Sequence, residues 1–194
     1  MIRNDVRKLI EELTKLPGIS LKIAHKVAYS ILNDASLKEV IKNIADTAEK
    51  IQVCPDCGFF RSKDDGCDNC HEKTDEICVV ATYSDMSAIE RSGCFKGSYH
   101  ILGGLIAPLE NMLPEDLLVD QLKRRVELNQ GVEVLLALPF SIEGDATVIY
   151  IQDMLQGLNL KLTRIARGLP SGAALDVLDR RTVLEALQGR SYIN

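Results

Sequence analysis

Four cysteines in two close pairs carry the clearest chemistry in this sequence. Cys54 and Cys57 form one Cys-x-x-Cys, Cys67 and Cys70 form the other, and nine residues separate the pairs. Each pair can place two thiolates on one side of a tight turn, and two such turns facing each other provide four soft ligands in a tetrahedron. The spacing predicts a structural Zn²⁺ site. Four protein ligands leave no open coordination position at which the metal could activate water.

Two alternatives to this metal site remain open from the spacing alone. The cysteines could form two disulfides or a redox pair, and His71 could replace Cys70 as a ligand. The segment is short and polar, so we expect it to need a cross-link to fold, with metal-binding energy serving as folding energy. The two remaining cysteines, Cys78 and Cys94, are expected to be core thiols.

Composition and charge place the chain among soluble globular proteins. It has 194 residues, 46% of them hydrophobic and 26% charged, which is ordinary for a folded domain. No apolar run approaches the roughly 20 residues that span a bilayer. The N-terminus enters a charged amphipathic pattern at once and does not resemble a secretory signal. We therefore expect a cytoplasmic protein without a membrane partner.

The net charge of −5 argues against a protein covered in nucleic acid, but the charge is unevenly distributed. Residues 1–30 carry six basic and three acidic groups, a balance of +3. Residues 51–78 carry three basic and seven acidic groups, a balance of −4. Any contact with phosphate is therefore expected at the N-terminal end.

The first fifty residues predict three helices, because apolar residues repeat there at helical spacing. Pro17 and Gly18 force a turn between the first two helices, and Ser20 can cap the second. A helix, a tight hairpin and a second helix can hold DNA by its phosphates, which meet the turn's N–H groups and the helix N-terminus. Lys22 and Lys26 lie four residues apart on one helix face, so they and Gly18 are candidates for DNA binding. An ordinary helical hairpin with solvated lysines is the alternative.

Beyond the cysteines the pattern changes to short apolar strands that alternate with helices. Strands are predicted at residues 77–82, 99–102, 132–138 and 160–165, and helices near 84–90, 115–129, 144–158 and 180–188. Buried strands that alternate with helices indicate a parallel α/β sheet covered on both faces.

The end of the third predicted strand resembles the strand-end motif of Toprim domains, the Mg²⁺-binding module of topoisomerases and primases. The chain matches the Glu-Gly-Glu-Ala half of that motif from Glu143 to Ala146. The acidic positions expected elsewhere hold Ala81, Pro139 and Ser141. Mg²⁺ needs carboxylates or waters held by them, so we expect no catalysis here. We define the degenerate Toprim face as Ala81, Asp85, Glu143 and Asp145.

In order along the chain, these features resemble the bacterial recombination mediator family RecR. The segments that carry the resemblance are Leu16-Pro17-Gly18, the cysteine pairs, Ile77–Val80, Ala107-Pro108-Leu109, Glu143–Thr147 and Arg164–Pro170. The resemblance implies a non-enzymatic DNA repair protein that forms a ring or clamp around DNA. It also implies that the ring contains four copies of the chain. The resemblance further implies that the protein acts with RecO and RecF to help load the RecA recombinase on gapped or single-stranded DNA. The family usually has glycine where this chain has Ser20.

The sequence thus predicts an α/β protein in four segments. They are a helix-hairpin-helix region at 1–51, a zinc knuckle at 52–76, a Toprim-like domain at 77–167, and a C-terminal loop and helix at 168–194. Two other functions remain alternatives: a Toprim-type metal-dependent nuclease, and a scaffold that does not bind DNA.

Overall fold

A computed structural model describes residues 4–71, 74–166, 169, 172 and 174–188. The chain divides into two compact units, one of Met1–Gln52 with Ser62–Asp64 and one of Val53–Arg61 with Asp65–Asn194. The four-segment division made from the sequence stays a prediction. No helix in the described part of the chain is long and apolar enough to cross a membrane.

The first unit contains the three predicted helices. They are α1 (Asn4–Thr14), α2 (Leu21–Asn33) and α3 (Ala35–Glu49). The first two pack together through Ile10, Ala24 and Ala28, because these apolar positions recur at helical spacing and face each other.

Helix α3 forms where the apolar spacing predicts a helix, but its apolar side chains are largely exposed. Asp34 caps it by accepting a hydrogen bond from the Ser36 N–H. Its apolar side chains Val40, Ile41 and Ile44 are between 43% and 63% exposed, and the helix has no buried residue. The described residues of this unit therefore leave much of the apolar face of α3 uncovered.

A short connecting region follows the three helices. Strands β1 (Ile51–Val53) and β2 (Phe60–Ser62) form a two-stranded sheet, and the one-turn helix α4 (Asp68–His71) carries the last cysteine of the second pair.

The second unit is built on a four-stranded parallel sheet in the order β4-β3-β5-β6. Its strands are β3 (Glu76–Val80), β4 (Ser98–Ile101), β5 (Glu133–Leu136) and β6 (Lys161–Arg164). The helices of this unit are α5 (Tyr83–Ser92), α6 (Val119–Leu128), α7 (Ile142–Met154) and α8 (Arg180–Gln188). The predicted parallel α/β class is confirmed.

Successive residues of the central strands contribute to two apolar clusters, as alternation along a strand requires. Ile77 and Val79 pack with α6 and α7, whereas Cys78 and Val80 pack with Met86 of α5. The core thiol predicted at Cys78 is confirmed. The same prediction for Cys94 is wrong: this residue is exposed, because it follows the left-handed Gly93 that ends α5.

Two helix boundaries also differ from prediction. The helix expected at 115–129 begins only at Val119, because Pro114–Asp116 forms a separate 3₁₀ turn. The helix expected from Gly144 begins at Ile142, because the Ser141 hydroxyl accepts a hydrogen bond from the Gly144 N–H and caps it.

The core of the sheet unit makes a direct stability prediction. Leu122 of α6 is fully buried, whereas Leu128 on the same helix is 81% exposed. Leu122→Ala should lower the free energy of unfolding by about 2–5 kcal/mol, because it removes buried methyl groups and leaves a cavity. Leu128→Ala is the matched control and should change it by less than about 0.5 kcal/mol. Denaturant unfolding of both variants checks the difference, and equal effects would contradict this packing.

Candidate metal centre and nucleic-acid interface

The four cysteine sulfurs converge to one point in the second unit. Cys54 Sγ lies 3.7 Å from Cys70 Sγ, and Cys57 Sγ lies 3.5 Å from Cys67 Sγ. All four sulfurs lie within 4.8 Å of one another. Zn–S bonds of about 2.3 Å in a tetrahedron give S···S edges of about 3.8 Å, so the two shorter distances are close to those of a tetrahedral site and the four sulfurs are near enough to share one ion.

These sulfur distances do not fit disulfides, whose S–S bond is about 2.05 Å. Every cysteine of the chain is free. The side chain of His71, the alternative ligand, lies outside the described residues. In the part of the chain that the structure describes, these four cysteines form a cluster of potential metal ligands that could hold one ion.

The first Cys-x-x-Cys turn depends on Gly58. Its N–H donates to the carbonyl oxygen of Cys54 at 2.9 Å, and its φ of +72° is in the left-handed region that favours glycine. A Cβ at this position would also collide with the backbone of Ile101. The turn therefore lies directly against strand β4, and a side chain would separate them.

The four cysteines lie in residues 54–70, a shorter part of the zinc knuckle predicted at 52–76. We call this shorter segment the knuckle from here on. It covers the outer edge of β4. The Asn69 side chain accepts from the Tyr99 N–H and donates to the Tyr99 carbonyl oxygen, both at 2.7 Å. The Ile101 N–H donates to the carbonyl oxygen of Cys57 at 2.8 Å. The backbone groups of this edge strand are thus satisfied by the knuckle rather than left open to another chain.

The thiols differ in how readily they lose a proton. Burial raises the pKa of Cys57 to about 11 and also raises the pKa of Cys70. Burial acts in the same direction on Cys54, but the N–H groups of Asp56 and Cys57 donate to its sulfur and leave its pKa below the usual value. A metal ion that binds here must displace protons from Cys57 and Cys70, so its apparent affinity falls as the pH falls.

The proposed DNA contact lies in the first unit, where the turn between α1 and α2 takes the expected form. Gly18 has a φ of +80°, and the Ile19 N–H donates to the carbonyl oxygen of Leu16 at 3.2 Å. Ser20 caps α2, with its hydroxyl accepting from the Ile23 N–H at 3.5 Å. Serine at this position is therefore compatible with the hairpin.

The start of α2 is electrostatically suited to an anion. Its first turn contains no acidic residue, and its N-terminus carries the positive end of the helix dipole. Lys22 and Lys26 are exposed one turn apart. Within the described part of the chain, neither has a carboxylate oxygen within 4.0 Å, whereas Lys15 forms an ion pair with Glu12 at 2.8 Å.

The degenerate Toprim face lies at the carboxyl edge of the sheet, where each of its three acids accepts a hydrogen bond or forms an ion pair. Ala81 is buried after β3. Asp85 accepts from the Thr82 hydroxyl at 2.7 Å in a capping box, and Asp145 pairs with Arg164 at 2.7 Å. Hydrogen bonds from the backbone N–H of Glu143 and from Ser141 lower the pKa of the exposed Glu143.

Sequence reasoning missed two residues that anchor the knuckle on the sheet, Asn69 and Arg125, and the buried His100 that Arg125 contacts. Asn69 pairs with Tyr99, Arg125 of α6 donates to the Tyr99 carbonyl oxygen at 2.8 Å, and His100 is fully buried beside it. A histidine inside a predicted apolar strand was a signal of a buried polar contact. The Arg125 position had no comparable signal in a helix with several charges.

Comparison with known proteins agrees with the α/β fold of the second unit. A family model for the Toprim domain matches residues 75–166. A "Recombination protein RecR" of Gloeobacter violaceus is 39% identical, with full coverage of both chains. Proteins of the same name from Bdellovibrio bacteriovorus and Maricaulis maris are 39% and 37% identical, and each match covers at least 95% of both chains.

The sulfur geometry predicts about one divalent ion per chain. Cys57→Ser should abolish stoichiometric metal and lower the melting temperature, because three thiolates no longer close the tetrahedron. Cys94→Ser removes an exposed thiol outside the cluster and should retain the metal. Metal analysis of protein purified under reducing conditions checks this. Wild-type protein with no bound metal, or equal metal content in both variants, would contradict the site.

Proposed function

Because this chain belongs to the RecR family of recombination proteins, we propose that it is a non-enzymatic mediator of DNA repair. In this proposal, a closed oligomer holds DNA at the hairpin between α1 and α2, and Zn²⁺ stabilises the knuckle. The protein works in the cytoplasm with RecO and RecF to help load RecA on gapped or single-stranded DNA.

The observation that carries the DNA contact is the unopposed positive charge at the start of α2. Gly18 has no side chain that could block access to the turn. The N–H groups in the first turn of α2 have no acceptor within the helix. Lys22 and Lys26 add two positive charges that no described carboxylate neutralises. Such a surface suits a phosphate backbone and carries no means of reading bases. We therefore assign sequence-independent binding to it.

Self-association supplies the affinity that one hairpin lacks. A local balance of +3 on a chain of net charge −5 is too small for tight binding by one copy. Several hairpins on a ring would act on one duplex together, so weak contacts would combine into avidity. The exposed Val40, Ile41 and Ile44 of α3 support an oligomer, because an apolar helix face is normally covered. The family resemblance suggests four copies.

The degenerate Toprim face supports an adaptor rather than an enzyme. Two-metal phosphoryl transfer needs several carboxylates that converge on the ions. Here Ala81, Pro139 and Ser141 occupy the expected acidic positions. Asp85 caps α5, and Asp145 is paired with Arg164. We propose that this face serves protein docking, with RecO or RecF as the partner.

The DNA assignment predicts a specific loss. Lys22→Glu/Lys26→Glu should abolish DNA binding while the oligomeric mass and metal content stay unchanged. Single replacements by Gln should reduce the slope of log K against log salt by about 0.9 for each duplex phosphate that the protein no longer neutralises. Lys96→Glu/Lys123→Glu makes the same charge change in the other unit and is the control. Fluorescence anisotropy at several salt concentrations measures both.

If the Lys22→Glu/Lys26→Glu variant binds DNA as tightly as the wild-type protein at the same salt concentration, the DNA contact must lie on another surface. Equal loss in both double variants would instead reduce the effect to net charge. Absence of salt-dependent binding in the wild-type protein would favour the scaffold that does not touch DNA.

A nuclease assay distinguishes the adaptor from a Toprim enzyme. No cleavage of supercoiled or gapped DNA above background is expected in Mg²⁺ or Mn²⁺, because the converging acids are missing. A cleavage activity that co-purifies with the wild-type protein and disappears in Glu143→Ala would overturn the non-enzymatic assignment.

A further inference from the structure

Arg125 is a buried positive charge without a carboxylate partner in the part of the chain that the structure describes. It lies on α6 and is 7% exposed. Its guanidinium donates to the Tyr99 carbonyl oxygen at 2.8 Å, the Ser98 hydroxyl at 3.0 Å and the Asn69 carbonyl oxygen at 3.3 Å. These acceptors are all neutral. They satisfy its hydrogen bonds but do not compensate its charge, and a buried uncompensated charge is costly.

The nearby His100 does not supply the missing negative charge. Its Nε2 lies 2.7 Å from the carbonyl oxygen of Leu118, so that nitrogen carries the proton, and its Nδ1 accepts from Arg125 at 3.3 Å. Burial, reinforced by the charge of Arg125, lowers the pKa of His100 to about 3. The imidazole is therefore neutral.

With a divalent metal bound, the cysteine cluster would be a buried negative group close to Arg125, whereas Asp56 of the same cavity is exposed. Four thiolates around one divalent cation leave an excess of two negative charges. Arg125 and Cys70 line the same cavity of about 300 Å³, and Arg125 binds the carbonyl oxygen of Asn69, the residue before Cys70. A low-dielectric environment strengthens the attraction between such charges.

We propose that Arg125 supplies the positive charge that compensates the negative charge of the metal–thiolate cluster, and we call it the counter-charge. Through its hydrogen bonds to Asn69 and Tyr99, Arg125 also positions the knuckle on strand β4. The proposal rests on the cysteines holding a divalent metal, as in the proposed function. In it, metal retention depends on a residue of α6 that is 55 positions beyond the last ligand in the sequence.

Two other charged side chains line the same cavity, and neither has the properties of Arg125. Arg124 is exposed, so water and salt screen its charge. Asp56 is also exposed and carries the wrong sign to compensate thiolates. Arg124→Gln is therefore a matched control, because it removes one positive charge from the same helix and the same cavity.

Cobalt provides a direct readout, because tetrahedral Co²⁺–thiolate sites absorb in the visible and near-ultraviolet range. Arg125→Gln should weaken Co²⁺ binding by about 10–100-fold, the range found when a group that supports metal ligands is removed. Arg124→Gln should stay within about threefold of wild type. Arg125→Lys retains the charge and should bind more tightly than Arg125→Gln, although it loses part of the hydrogen-bond fork. Far-ultraviolet circular dichroism monitors folding.

A thermodynamic cycle separates charge from packing. Cys70→His replaces a thiolate by a neutral imidazole and lowers the cluster's excess negative charge from two to one. If Arg125 is the counter-charge, Arg125→Gln should weaken Co²⁺ binding at least threefold less in the Cys70→His background. The same loss in both backgrounds would overturn the counter-charge, leaving only a packing residue.

The design remains decisive if Arg125→Gln does not fold. Arg125→Lys and Arg125→Met can then be compared in the same way, since both keep an aliphatic stem and one lacks charge. Equal Co²⁺ affinity in these two variants would also overturn the proposal. A wild-type chain that binds neither Zn²⁺ nor Co²⁺ would instead contradict the metal centre itself.

Discussion

The sheet unit depends on one contact: the four-cysteine knuckle seated on the outer edge of β4. The Asn69 side chain and the Cys57 carbonyl oxygen satisfy the Tyr99 and Ile101 backbone groups that would otherwise face outward. An uncovered edge strand invites pairing with another chain. Because the knuckle is short, a metal ion that joins its four cysteines would stabilise its shape. A metal ion at the cysteines would therefore order the end of the sheet as well as the knuckle.

The Toprim-like sheet and the positive charge suited to DNA lie in different units of the chain. The Toprim-like sheet retains its parallel order and its strand-end glycine, Gly144, whose missing side chain admits the Pro139 carbonyl oxygen. Two acids at that edge have structural contacts, since Asp85 caps α5 and Asp145 pairs with Arg164. The positive charge suited to DNA lies instead on α2, in the other unit.

The sequence predicted the parallel sheet, the three N-terminal helices and the convergence of the cysteines, because these follow from local periodicity and ligand spacing. It could not predict that α3 leaves Val40, Ile41 and Ile44 exposed, because amphipathicity does not specify which partner covers a face. It also missed the anchoring of the knuckle by Asn69 and Arg125. Those contacts join residues 30 and 26 positions away from Tyr99, and no local pattern marks them.

Hydrogen exchange with and without a strong chelator tests most directly whether the metal-held knuckle secures the sheet edge. Removing the metal should greatly accelerate exchange of the Tyr99 and Ile101 amides, which donate to the knuckle. The amides of Ala137 and Ile165, which donate to Val79 and Leu136 inside the sheet, should remain protected. Unchanged protection at Tyr99 and Ile101 after complete metal removal would contradict the account, because the edge would then be ordered without the ion.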